Sequence, residues 1–426
     1  MERWKSNLYV LWVTQVLSLL SFGLFAPYIP IYLRDLNVTD PDMVNLWTGI
    51  MSFVPAAAMV IAAPIWGILS DRYGKKMMLL RATACATAII TGMAFVGNVW
   101  QLLFLRACQG FFTGTVTASM AFVGSNTPEN RMSYALGFLS SSGFIGYSIG
   151  PVVGGLFVES LGIRPCFLIG GTSMGTGLLL LIFLLKEISP PPIRRKRGKG
   201  GDVDLTAEGT HQEEGKNVQG IKENSKKENY RQLFTMTVTL TLAMLLSTRM
   251  MRSMLGPYMN LFVEELLGTT TGAAAWTGVI NGAVCVVSAV ATLTIVRLGD
   301  RYDKIKLVAL LTLISLPFAA LSAMVRSLVL FLIIYSAYSF TSGALEPLLT
   351  SSASESAAPQ VRGTLFGLVG MVNNAGFMLA PILGSYVSVQ FSLQGILYLI
   401  PAFTIIQILI GLFAIKVRKK TRSSMD

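Results

Sequence analysis

Histidine is almost missing from these 426 residues; the chain has one, His211. Cysteine is scarce too: Cys85, Cys108, Cys166 and Cys285 stand far apart, with no C-x-x-C among them. Disulfide frameworks need paired thiols and zinc sites need clustered ligands, so both are excluded. The cysteines read as small apolar side chains. No G-x-x-x-x-G-K-[ST] loop is present to cradle a nucleotide, and no cofactor is expected. Charge is sparse as well, at 13% of residues against roughly 25% in ordinary soluble proteins. A chain with so little hydrophilic surface needs lipid, not water, as its main solvent.

What is present agrees with that. Apolar residues make up 53% of the chain, and mean hydropathy is +0.60. A bilayer-spanning helix needs about 20 mostly apolar residues. Twelve such runs are predicted, at 8–33, 46–70, 77–97, 101–124, 133–158, 165–185, 233–262, 272–296, 305–325, 327–351, 362–388 and 394–415. The first follows Arg3 and Lys5 and continues past Leu24 without a small-residue cleavage site. A retained span, not a cleaved leader, is expected there.

Six runs precede a polar stretch and six follow it. That stretch carries Pro190-Pro191-Pro192, then Arg194-Arg195-Lys196-Arg197, then a Gly/Glu/Lys-rich segment containing His211. It has too few apolar residues for a core and reads as a flexible cytoplasmic linker. The expected organisation is a six-helix bundle over 1–186, a linker over 187–229 and a second bundle over 230–426.

The net charge of +12 does not point to nucleic acid, because the basic residues sit in short clusters between apolar runs. They report topology instead. With the N-terminus inside, segments expected inside hold 28 of the 34 Lys and Arg residues; those expected outside hold Arg34, Arg164 and Arg326. The positive-inside rule then places both termini in the cytoplasm of a multi-pass cell-membrane protein. The halves also repeat at an offset near 230: Gly137, Gly146, Pro151 and Gly154 recur as Gly367, Gly376, Pro381 and Gly384, and Asp71-Arg72-Tyr73 as Asp300-Arg301-Tyr302. Parallel repeats of this kind are a transporter signature.

Three motifs carry a family resemblance. After the second run stands Gly67-x-Leu69-x-Asp71-Arg72-x-Gly74-Lys75-Lys76; the fifth holds Gly146-x-x-x-Gly150-Pro151-x-x-Gly154-Gly155; the fourth holds Arg106-x-x-Gln109-Gly110. Together with Gly23-x-x-x-Pro27-x-x-Pro30, they resemble the major facilitator superfamily, and within it the twelve-span drug:proton antiporters of the MdtG type. The resemblance covers essentially the whole chain. It implies an all-α membrane fold of two pseudo-symmetric six-helix bundles. It also implies export of drugs or other small amphipathic compounds in exchange for protons by alternating access. In that reading Gly67, Asp71, Arg72, Gly74 and Lys75 form a gating latch, whose second copy at 299–306 is degenerate, with Asp303 where glycine is expected. Gly146, Gly150, Pro151, Gly154 and Gly155 pack the antiporter helix, and Arg106 takes part in proton coupling.

Fourteen of the 22 acidic residues lie outside the central stretch, and by these boundaries only Glu346 falls at hydrocarbon depth. A carboxylate there is costly to keep charged, so it is a natural proton carrier. Glu346 is the expected proton-titrating residue, with Asp71 second; a structural ion pair with Arg249 or Arg252 is the alternative. Arg249 and Arg252 lie one helical turn apart near Met244, Met250, Met251, Met254 and Tyr258. A substrate cavity at Arg249, Arg252, Tyr258 and Gln109 is expected, and the two arginines leave room for amphipathic anions. The spans hold no histidine and no paired carboxylates, so an enzyme is not expected. The expected partners are the lipid bilayer, a small-molecule substrate and protons, with the chain acting as a monomer. A nutrient importer and a lipid flippase stand as alternatives.

Overall fold

The computed structural model describes residues 3–128, 131–186, 236–355 and 362–423. The expected linker over 187–229, with His211, lies outside the described residues, and so do the side chains of Asp71 and Asp300. The described residues form helices and turns, with no strand among them.

The first half contains span 1 (Arg3–Asp35), span 2 (Pro41–Tyr73), span 3 (Lys75–Met93), span 4 (Val99–Phe112 and Thr115–Asn126), span 5 (Met132–Leu161) and span 6 (Ile163–Leu184). The second contains span 7 (Met236–Ser253 and Met259–Leu267), span 8 (Ala273–Ile295), span 9 (Lys304–Met324), span 10 (Leu328–Gly343 and Leu345–Glu355), span 11 (Arg362–Gln390) and span 12 (Gly395–Ser423). Among the described residues, nine helices are long and apolar enough to cross a membrane. The other three spans are charged or broken. Span 3 opens on Lys75 and Lys76 and holds Arg81, span 4 is interrupted at Thr113–Gly114, and span 7 carries Arg249 and Arg252.

The sequence reading treated every run as continuous, and four are not. Span 1 passes through a short 3-10 turn at Ala26–Tyr28 and span 7 through its counterpart at Gly256–Tyr258. Span 4 breaks at Gly114, whose φ of 101° is left-handed, and span 10 at Ala344. Each pair is related by the repeat offset of 230. Proline explains two of the breaks: Pro27 and Pro257 each lack a backbone donor. Backbone freed in this way at membrane depth is tolerated only where protein or a water-filled cavity covers it.

Small residues decide how the helices pack. A Cβ placed on Gly146, Gly150 or Gly154 would come within 2.6 Å of Leu19 Cβ, 2.8 Å of Gly23 Cα or 2.3 Å of Leu24 O, so span 5 lies backbone to backbone on span 1. The completely buried Tyr28 donates from its hydroxyl to Pro151 O at 2.6 Å. Its counterpart Tyr258 donates to Pro381 O at 2.8 Å in the second half. Large apolar side chains such as Phe95, Phe183 and Leu293 lie exposed around the outside. That surface suits lipid and would aggregate in water.

At one end, Asn7 donates to Lys186 O and Lys76 to Leu185 O, tying the starts of spans 1 and 3 to the end of span 6, while Arg418 donates to Ser352 and ties span 12 to the end of span 10. The halves meet toward the opposite end. There Gly155 closes on Ala274 O, Gly278 on Pro151 O, and Gly49 on Ser385 and the Tyr258 hydroxyl. Toward the terminus-bearing end, Gly67, Gly137, Gly367 and Gly370 have nothing within 4 Å of a Cβ. The structure is therefore closed at one end and open at the other.

A Gly150→Val substitution forces spans 1 and 5 apart and costs about 1–3 kcal/mol of stability. Gly137→Ala meets open space and leaves thermal melting in detergent unchanged; equal melting of the two variants would contradict this packing.

Candidate functional site

The break in span 10 builds the site. Gly343 brings span 10 against Ser288 of span 8, where a Cβ would lie 3.0 Å from Ser288 Cα. The chain then restarts as Leu345–Glu355, with Glu346 in its first turn and Pro347 beside it. Proline fits there because first-turn N–H groups have no helical partner, and a carboxylate is favoured by the positive end of the half-helix dipole. One oxygen of Glu346 accepts from Arg249 Nη1 at 3.2 Å and the other from Asn373 Nδ2 at 3.0 Å. Spans 7, 10 and 11 thus converge on one carboxylate. Its side chain and that of Arg249 are 25% and 34% exposed, which leaves both accessible.

Glu346 lines a cavity of about 850 Å³ between the halves, with Ser140 and Phe144 of span 5, Arg252 of span 7, Ser288 and Thr292 of span 8, and Phe366 of span 11. Among the described residues, no group of His, Cys, Asp and Glu side chains is arranged to hold a metal.

Several expected site residues lie elsewhere. Tyr258 is completely buried and commits its hydroxyl to Pro381 O, so it packs and does not line the cavity. Met244, Met251 and Met254 are likewise buried in the core of the second half. They form a packed helix face. Gln109 is buried and accepts from Arg106 Nη1 at 2.8 Å. Arg106 lies 5.8 Å from the Phe25 ring, its Nε bonds nothing, and no carboxylate pairs with it among the described residues. An arginine at span depth costs roughly 2.5–3.5 kcal/mol on insertion scales, and Gln109 with the ring face offsets part of that.

At the terminus-bearing end, a Cβ on Gly67 of the expected latch would meet nothing within 4 Å, because that end is open. Gly74, with φ of 89°, forms the turn between spans 2 and 3, and Lys75 starts span 3. Arg72 lies 5.5 Å from the Tyr73 ring. In the degenerate copy, Asp303 caps span 9, accepting from the backbone N–H groups of Ile305 and Lys306. That is why a carboxylate stands where the first copy has glycine.

The closed end holds residues that the sequence reading missed. Arg34 donates to Glu264 Oε2 at 2.6 Å, and Asn260 donates to the other oxygen. Glu159 accepts from Gly272 N at 2.7 Å, and Ser385 donates to Asn45 O. Each inter-half contact joins one repeat to the other. Arg34 and Glu264 are themselves 230 apart, so each is the other's counterpart. Counterparts can touch only near the axis relating the halves. The repeat offset already noted was the signal that could have found them.

The Major Facilitator Superfamily profile matches residues 11–288 and 241–424. The chain belongs to the Major Facilitator Superfamily. Its superfamily fold is the twelve-helix, two-half architecture described above, and a member is a membrane transporter, not an enzyme. Among superfamily relatives, the "Multi-drug resistance efflux pump PmrA homolog" of Lactococcus lactis is 29% identical over 99% of this chain and 98% of its own. The "Multidrug resistance protein MdtG" of Rahnella is 28% identical over 93% and 90%. In fold, the chain is similar to a bacterial homolog of the human lysosomal transporter Spinster, solved inward-facing and unoccupied, with TM-score 0.75 and 13% identity over 97% of each chain.

An Arg34→Glu variant sets two carboxylates together at the closed end, and adding Glu264→Arg restores the pair. Partly exposed ion pairs contribute about 0.2–1 kcal/mol. The single change should therefore raise labelling of a cysteine at position 385 by an impermeant thiol reagent up to a few-fold, and the swap should reverse it.

Proposed function

We propose that this chain exports small amphipathic molecules in exchange for protons, by alternating the two halves about the cavity at Glu346. Basic-residue asymmetry supports placing both termini in the cytoplasm of the cell membrane, so the open end faces the cytosol, where cargo enters. Multidrug efflux pumps among its relatives support outward transport. One chain supplies the whole cavity, which supports a monomer as the working unit.

The observation that carries this reading is Glu346 itself, held by Arg249 and Asn373 on the break of span 10. Protonation from the opposite side removes the negative charge, releases Arg249 and frees span 7 to shift against spans 10 and 11. Return of the proton to the cytosol re-forms the pair. Each inward proton supplies roughly 2.3 kcal/mol per 100 mV and about 1.4 kcal/mol per pH unit. Asp71 and Arg72 fit a latch that closes the cytosolic end in the other state, and Arg106 a second charge sensing that change.

In proteoliposomes with an imposed pH gradient, Glu346→Gln should abolish proton-driven efflux while melting within a few degrees of the parent. Full pH-driven transport by that variant, or net uptake of a sugar by the parent, would contradict the proposal. Asp71→Asn should slow turnover and leave cargo affinity within about twofold, as a gate residue would; tenfold weaker binding would place Asp71 in the cargo site instead.

A further inference from the structure

Cation and anion do not balance on the cavity wall. Two carboxylates line it, Glu346 and Glu355. Glu346 is taken by Arg249 and Asn373, and Glu355 by Lys304. Arg252 lines the same cavity, half-buried, one turn below Arg249, and among the described residues its guanidinium has neither an ion-pair nor a hydrogen-bond partner. Its charge reaches Tyr335, Tyr338 and Cys285. Tyr338 and Ser342 are each 1% exposed; their hydroxyls face each other, and neither bonds any further group among the described residues. Tyr338 is held by stacking on Tyr335, with ring centroids 5.7 Å apart.

On the cavity wall, therefore, the Arg252 guanidinium lacks an acceptor among the described residues. A buried polar group without a partner is costly, and a guanidinium pairs with oxyanions in a two-pronged geometry that water does not match. Phe144 and Phe366 supply apolar surface on the same wall. We infer that Arg252 anchors an anion subsite, and that the cargo is an amphipathic molecule bearing a carboxylate or similar oxyanion, its apolar body lying against Phe144 and Phe366. This rests on the export reading for its direction but not for its binding chemistry. Glu346 and Arg249 keep the proton function, while Arg252 selects cargo charge. Exchange of a monoanion for one proton moves two positive charges inward per cycle, so an inside-negative potential drives it; the same exchange of a monocation is electroneutral.

The test uses two dyes that share a fluorophore and differ in charge, dansylglycine (anion) and dansylcadaverine (cation), with the full-length protein in proteoliposomes. The parent should bind dansylglycine at least tenfold more tightly than dansylcadaverine. Arg252→Gln should weaken dansylglycine binding tenfold or more, and Arg252→Lys, which keeps the charge but not the two-pronged geometry, should lose only a few-fold. Tighter binding of dansylcadaverine by the parent, or unchanged dansylglycine binding in Arg252→Gln, overturns the inference. If Arg252→Gln does not fold, the parent's own preference between the two dyes decides. Flux under a pH gradient separates the readings. Arg252-dependent binding of dansylglycine with no flux of either dye leaves the subsite standing and removes proton-driven export. Flux of dansylcadaverine with no dansylglycine binding does the reverse.

Discussion

Lipid offers no hydrogen bonds and no screening, so every polar group at membrane depth must be answered from within the protein. That constraint accounts for the continuous helices of spans 3, 6 and 8, which have no proline beyond the first turn and satisfy their own backbones. It also accounts for the placement of the breaks. Where spans 1, 4, 7 and 10 are interrupted, side chains and neighbouring helices cover the freed backbone or a cavity opens beside it. The same constraint concentrates the charged residues. Glu346, Arg249 and Arg252 lie within one and a half turns of such breaks; Glu346 and Arg252 line the cavity, and Arg249 pairs with Glu346.

The repeat turns this local rule into a device. Because the two halves are built alike, the tyrosine on Pro151 in one half has its twin on Pro381 in the other. The close approach at Gly278 on span 5 likewise has its twin at Gly49 on span 11. Two similar bodies meeting across an axis can rock about it without unpacking either core, since the interface between them is made of small residues and a few polar contacts. The chemistry has diverged within that frame. Arg34 became the cation and its counterpart Glu264 the anion of one pair. Glu346 has no acidic counterpart: the position 230 residues earlier is Val116. Scaffold symmetry and functional asymmetry therefore coexist in one chain.

Much of this was legible in the sequence, for definite reasons. Spans show because twenty apolar residues are required to cross lipid, and the repeat shows because the Gly and Pro positions that permit close packing cannot drift. Glu346 stood out because an acidic residue at span depth is rare on energetic grounds. Tyr258 was not legible as a packing residue, since a helix face packed into a core and one lining a cavity have the same periodicity. The latch residues around Gly67 were legible as a motif, yet whether they are in contact depends on which end of the molecule is closed.

The sequence alone determined that the chain is a twelve-span, two-half membrane protein with a charged cluster inside its second half, because lipid solvation acts on each segment independently of the others. Only the tertiary structure decided which charge answers which: that Arg249 takes Glu346, that Lys304 takes Glu355, and that Arg252 is left facing the cavity without a counter-charge. Those assignments depend on distances between spans remote in sequence, and a one-dimensional pattern carries no such distances.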